Sequence, residues 1–209
     1  MNKYYLIVAL SITLNSCIGK HSSNAQVAEI KKESTNVNNT GDTIKINLSQ
    51  STIHWKGTKM NGAGKHEGNI ELQEAFFLAS DENISGGKFV VDMNSITVTD
   101  IPEHEPVPKK RFIDHIKSED FFNVKAYPTS KFEITKTELT SNDSLKISGN
   151  LTLKEITNNI TFQATMINNI FKANFTIDRF LWNIAYEGNI VDKTLVDKEI
   201  EFYILFKKN

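Results

Sequence analysis

The side chains best suited to chemistry are thinly spread along this chain of 209 residues. Its five histidines are His21, His54, His66, His104 and His115. No pair of them has the His-x-x-x-His spacing that sets two imidazoles on one helical face around a metal. His104 stands between Glu103 and Glu105, a trio fit at most for a stray cation in a loop. Glycoside hydrolysis needs two carboxylates facing each other across a cleft. Most acids here fall on the wet side of alternating segments. Asp92, inside Val-Asp-Met, is the exception, and its phase with Lys88 and Val90 points it outward. Cys17 is the single cysteine, so it has no disulfide partner within the chain. The expectation is a protein without catalysis, metal or cofactor.

Two histidines are placed by their neighbours. His54 lies between Ile53 and Trp55, so it is expected outside, with Trp55 lining or plugging the interior. His66 is in phase with Ile70 and Leu72 and is expected inward near the start of a strand. There a neutral imidazole could donate to an oxygen at the polar end of a bound molecule, or be a satisfied rim or core residue.

Cys17 follows an apolar run, Tyr4 to Leu14, that is too short to cross a bilayer and has the length of a signal-peptide core. Leu14-Asn15-Ser16-Cys17 resembles the bacterial lipobox. That resemblance implies cleavage before Cys17, which would carry a diacylglyceryl thioether and an N-acyl chain such as palmitate. Several chains together anchor firmly where one binds reversibly. Ile18 in place of Asp after the cysteine implies, by analogy, the outer membrane of a bacterial envelope, facing the periplasm. The expected division is a signal peptide over 1–16, the lipid-anchored cysteine and a flexible linker over 17–42, and one domain over 43–209. Residues 18–42 are rich in Ser, Asn, Thr, Lys and Glu and hold no lasting period. The formal net charge of −1 leaves no field to gather nucleic acid.

Beyond the linker the hydropathy period is two. Leu145, Ile147, Gly149, Leu151 and Leu153 alternate with polar residues, as do Ile160, Phe162, Ala164 and Met166. So do Phe171, Ala173, Phe175 and Ile177, and again Ile200, Phe202, Ile204 and Phe206. Ile44, Ile46 and Leu48 form an earlier set, with Phe89, Val91 and Met93, and a shorter one at Phe132 and Ile134. One wet and one apolar face per strand excludes a parallel sheet covered by helices. About eight such segments favour a closed antiparallel barrel over an open sandwich. Glycines 62, 64, 68, 86, 87, 149 and 188 are expected at turns or bends, with Asn158-Asn159 and Asn168-Asn169 as turn pairs. Lys109–Lys117 breaks the rule: Phe112, Ile113 and Ile116 have helical spacing, and Pro102, Pro106 and Pro108 before them forbid a ladder strand. This helical insertion is expected either across one barrel mouth or as a self-packed surface loop.

Five segments in order resemble the YceI-like family of periplasmic lipid- or polyisoprenoid-binding proteins. They are Ser51-Thr52-Ile53-His54-Trp55-Lys56-Gly57, His66-Glu67-Gly68-Asn69-Ile70, the block from Gly86 to Ile96, the block from Asp114 to Val124 followed by Tyr127-Pro128, and Ser148-Gly149-Asn150-Leu151-Thr152-Leu153. The chain departs from the family at Lys154-Glu155-Ile156-Thr157, where a basic residue and a glycine are common. The resemblance implies an elongated, lipocalin-like eight-stranded antiparallel barrel with a hydrophobic channel for a long isoprenoid or acyl chain, and no known catalysis.

The inward rows and the insertion together give an expected tunnel lining of Trp55, His66, Ile70, Phe89, Val91, Met93, Phe112, Phe122, Phe132, Ile134, Leu151, Phe162, Ala164, Phe175, Phe202 and Ile204. Gly149, Ala164 and Ala173 among larger residues are expected to leave room for a guest. The alternative is a fully packed barrel, a structural or stress-protective platform for a protein partner. Val90, Ile167, Tyr203 and Leu205 are expected on its exterior as a contact patch or homodimer seam.

Overall fold

The computed structural model describes residues 25–35, 40–80, 83–141, 143–184 and 196–209. Its strands are β1 (Gln26–Val27), β2 (Glu29–Lys32), β3 (Asp42–Lys45), β4 (Thr52–Lys59), β5 (Gly64–Ser80), β6 (Asn83–Asp92), β7 (Thr129–Ser141), β8 (Ser144–Leu153), β9 (Ile156–Ile167), β10 (Ile170–Asp178) and β11 (Val196–Lys207). Among the described residues one α-helix, α1, spans Pro106–Lys117 between β6 and β7. From β4 to β11 each strand pairs antiparallel with the next, and β11 returns to pair with β4. The result is a closed eight-stranded antiparallel barrel, whose inward rows meet in one core.

Closure is weakest between β9 and β10. They pair directly only over 164–167 and 170–173, around Asn168 and Asn169, both in the left-handed region. Past that point β1 takes the free edge of β10, opposite Phe175 and Thr176, and β2 takes the free edge of β9, from Asn158 to Thr161. Ala28 is buried in the core between them, and Ile30 packs against it. Residues 26–32, expected in a flexible linker, are therefore part of the barrel wall. Their few apolar side chains sufficed because the open seam supplies both the hydrogen-bonding edges and the pocket. Side chains sew the segment down. Gln26 donates to the Gln163 carbonyl at 2.8 Å and accepts from its N–H at 2.9 Å. Buried Asn150 accepts from Ser34 N–H at 3.0 Å and donates to its carbonyl at 2.7 Å. Cys17 and the signal segment lie outside the described residues.

Several local expectations are corrected. Leu48 leaves the strand register and sits exposed in a short 3-10 turn, Leu48–Gln50, whose start the Asn47 side chain caps. Asn158 and Asn159 are in the β9 ladder, not a turn; the β8–β9 turn is Lys154-Glu155, with φ of 47° and 66°. Their amides serve other elements, Asn158 donating to Leu181 O and Asn159 to Thr135 Oγ1 and Asn150 Oδ1. Glycines 68, 86, 87 and 149 lie inside strands rather than at turns, Gly86 and Gly149 beside register shifts where the strands bend, and Gly64 opens β5; Gly188 lies outside the described residues. Val90 is buried; its register partners Glu74 and Lys131 carry long aliphatic stems of the kind that cover a small apolar neighbour. The helix begins at Pro106, three residues before the expected Lys109, because the first turn has no use for the N–H groups that prolines lack.

If Asn150 pins the N-terminal segment over the seam, Asn150→Ala removes its bonds to the Ser34 N–H and carbonyl and to Asn159 and costs about 1–3 kcal/mol. Urea unfolding reads that loss. Faster amide exchange over residues 26–34 than over β6 and β7 localises it, and uniform exchange contradicts it.

Candidate functional site

The protein atoms leave a cavity of about 220 Å³ in one half of the barrel, reached from the end that α1 covers. Its walls are almost wholly hydrocarbon. Phe89, Phe132, Phe162, Phe175 and Phe202 form a chain of ring contacts around it, with centroids 4.2–6.2 Å apart. The tightest pair, Phe162 and Phe175, stacks at 13°. Ile53, Ile70, Val91, Leu151, Leu153, Ile160, Ile200 and Ile204 fill the spaces between rings.

The mouth owes its form to an interruption of the sheet. β6 ends at Asp92 and β7 begins at Thr129, so residues 93–128 wall the barrel there. Thr97 and Thr99 donate from their backbone to Asn69 O and Glu67 O, each at 2.9 Å, along the edge of β5 that β6 has left. Gly68 makes this approach possible: a Cβ on it would lie 1.8 Å from Thr97 O. The chain then delivers Asp100 to the rim and turns into α1. Phe112 and Ile116 face the cavity from the helix, Met93 and Ile96 from before it, and Phe121 and Phe122 from after it. The turn after α1 is held by Phe122 N–H to Ile116 O and Val124 N–H to Lys117 O, with Asn123 left-handed at φ 46°.

Of the expected lining, Trp55, His66, Ile70, Phe89, Val91, Met93, Phe112, Phe122, Phe132, Leu151, Phe162, Phe175, Phe202 and Ile204 are brought together on this cavity. Ile134 and Ala164 do not border it. Ile134 abuts Gly87, the register partner of Phe77, in the filled half of the barrel. Ala164 pairs with Leu145 and Ala173 in the core. Nor does Gly149 give guest room: the Phe132 ring lies over it, within 2.3 Å of where a Cβ would stand.

His66 sits at the rim, its Nδ1 3.0 Å from Asp100 Oδ2 and its ring centroid 4.1 Å from that of Phe112. Asp100 Oδ1 accepts the Glu67 N–H at 2.9 Å, so the carboxylate is fixed from both sides. A carboxylate acceptor puts the hydrogen on Nδ1. Neutral His66 then offers only an acceptor at Nε2, and the expected donation to a headgroup requires the imidazolium. His54 is on the outer face, with Nδ1 3.0 Å from Asn69 Oδ1 and its ring beside Tyr203.

Arg179 went unnoticed in the sequence, though it continues the inward phase of Phe175 and Ile177 by one step. It is 1% exposed. Its guanidinium donates to Asp197 O, Ile184 O and Val196 O and lies over the Phe180 ring at 4.4 Å. Burial pushes its pKa down, and the nearby Asp178 and Asp197 pull the other way. Asp197 in turn accepts from Thr58 Oγ1 at 2.6 Å and from the Asn61 and Gly62 N–H groups at 2.9 Å, tying the β4–β5 turn to β11. Among the described residues no three His, Cys, Asp or Glu side chains cluster as a metal site, and no helix is long and apolar enough to cross a membrane.

A closed antiparallel barrel with an apolar chamber beneath a helical insertion defines a class of small hydrophobic-pocket barrels. The model of the YceI-like domain matches residues 44–207, and the chain belongs to that family. A UPF0312 protein of Pseudomonas aeruginosa (strain LESB58) is 35% identical over 91 residues, 44% of each chain. One from Azotobacter vinelandii is 42% identical over 53 residues, 25% of this chain and 28% of that one. The chain thus matches less than half the length of these curated relatives. Among solved structures, BcnA of Burkholderia cenocepacia superposes with a TM-score of 0.62 at 19% identity, covering 77% of this chain and 98% of that one. A polyisoprenoid-binding domain from Saccharophagus degradans gives 0.54 at 12% identity, covering 81% and 100%. At these identities the likeness is one of fold.

Gly68→Ala forces Thr97 away from β5 and costs about 3 kcal/mol, at the upper end of overpacking. Thermal unfolding measures it, and the His66 ring resonances shift as Asp100 withdraws. An unchanged midpoint contradicts the close approach.

Proposed function

We propose that the protein binds one hydrocarbon chain of a lipid, isoprenoid or fatty-acyl, as a non-catalytic carrier or store tethered by acylated Cys17 to the outer membrane and facing the periplasm. The observation that carries the reading is the cavity itself: apolar walls, about 220 Å³ of space and a mouth under α1. Unfilled volume costs roughly 24 cal/mol per Å³, so a void of this size forgoes roughly 5 kcal/mol of packing, comparable with the net stability of a whole domain. Each methylene transferred from water returns about 0.8 kcal/mol, less the cost of ordering the chain. The polar end of such a ligand stays at the rim, among Lys59, Lys65, His66 and His115. The polyisoprenoid-binding description of the Saccharophagus domain supports the ligand class. A filled barrel serving only as a protein platform would leave these walls in mutual contact.

The test is to purify the domain without residues 1–17, extract it with organic solvent and analyse the extract by mass spectrometry. A stoichiometric isoprenoid or acyl species is expected. A lipid-free extract from protein that also takes up no added alkyl chain rejects the proposal. Exchange of Pro106–Lys117 for a short Gly/Ser loop should speed ligand release severalfold, and unchanged release removes the helix as a lid. The tether is tested separately. Cys17→Ser should abolish labelling by radioactive palmitate and move the full chain from the membrane fraction to the soluble one.

A further inference from the structure

The cavity has a floor made of four phenylalanines. Phe77, Phe89, Phe206 and Phe171 contact one another in a closed circuit, with centroids 5.1, 5.2, 6.0 and 5.1 Å apart in turn. They come from β5, β6, β11 and β10, so the circuit bridges opposite walls of the barrel. Phe89 and Phe206 border the cavity, and Phe77 and Phe171 back them. Phe77 is 0% exposed and the other three are buried. Phe77 meets Phe89 at 71°, edge to face, and Phe89 meets Phe206 at 19°.

We infer that Phe89 and Phe206 are specificity-determining residues: they stop the ligand chain and so set how much of it is buried. The inference rests on the ligand-binding reading above and adds a length to it. At the roughly 15–30 Å³ that one water-sized group occupies, the cavity admits on the order of ten chain carbons. Carbons beyond that protrude through the mouth and add nothing to affinity. Selection is then for the first ten or so carbons of an acyl or isoprenyl chain, and it saturates with length rather than growing.

The experiment titrates the soluble domain with straight-chain fatty acids of about eight to twenty carbons, read by native mass spectrometry. For the wild type, affinity should rise about fourfold per added carbon and level off at about ten. In Phe206→Ala the plateau should move out by about three to five carbons, and in Phe206→Trp it should move in. If the alanine variant does not fold by circular dichroism, Phe206→Leu and Phe206→Trp carry the comparison. A plateau at the same length in wild type and folded variants overturns the floor. A wild type that binds neither these acids nor prenyl alcohols of similar chain length overturns the ligand-binding reading instead.

Discussion

Everything here depends on closing eight strands on themselves. Strand number and tilt fix the girth of a barrel, so its interior volume is set before any side chain is chosen. Side chains then either fill that volume or leave it. In the half away from α1 they fill it, with Phe77, Phe171, Ile134, Ile147 and the paired Ala164 and Ala173 in one buried cluster. In the other half the wall changes from strand to the 93–128 insertion, and the rings of Phe132, Phe162, Phe175 and Phe202 line a space rather than meeting across it. The cavity lies beside the stretch where the 93–128 insertion replaces paired strand.

That geometry explains which features were legible in the sequence. Period-two rows showed the strands, and their phase put most of the lining on the inner face. Phase says nothing of height along the barrel axis, so Ile134 and Ala164 were correctly inward but lie in the filled half. Small residues were a poor guide to space. Gly149 accommodates the Phe132 ring, and Ala164 and Ala173 allow close packing; none of them opens the cavity. The wall segment at Gln26–Lys32 was hidden because its strandness is supplied by its partners. Two free edges and a pocket for Ala28 order a sequence with little preference of its own. The turn at Lys154-Glu155, marked by the resemblance as a place where the chain departs from its family, holds no turn residue of its own; the flanking ladders of β8 and β9 impose left-handed dihedrals on residues that do not seek them.

The rim follows a different logic from the walls. Its polar groups are mostly spent on structure. Asp197 clamps the β4–β5 turn, Asp100 orients His66, and Arg179 clasps carbonyls at Ile184, Val196 and Asp197. A guanidinium buried among carbonyl oxygens and aromatic faces is held by many modest contacts rather than one strong ion pair, which suits it to fixing backbone positions around an opening.

The chamber is walled mostly by hydrocarbon, and the ionisable side chains that border it, among them Lys59, Lys65, His66, His115 and Arg179, belong to its rim. Apolar walls can still discriminate. Apolar contact is non-directional, so the walls read girth and length rather than functional groups. Two straight chains of equal length would contact such walls alike, while a bulky ring system would meet the stacked Phe162–Phe175 pair. Such walls select a physical class of molecule and leave polar recognition to the rim.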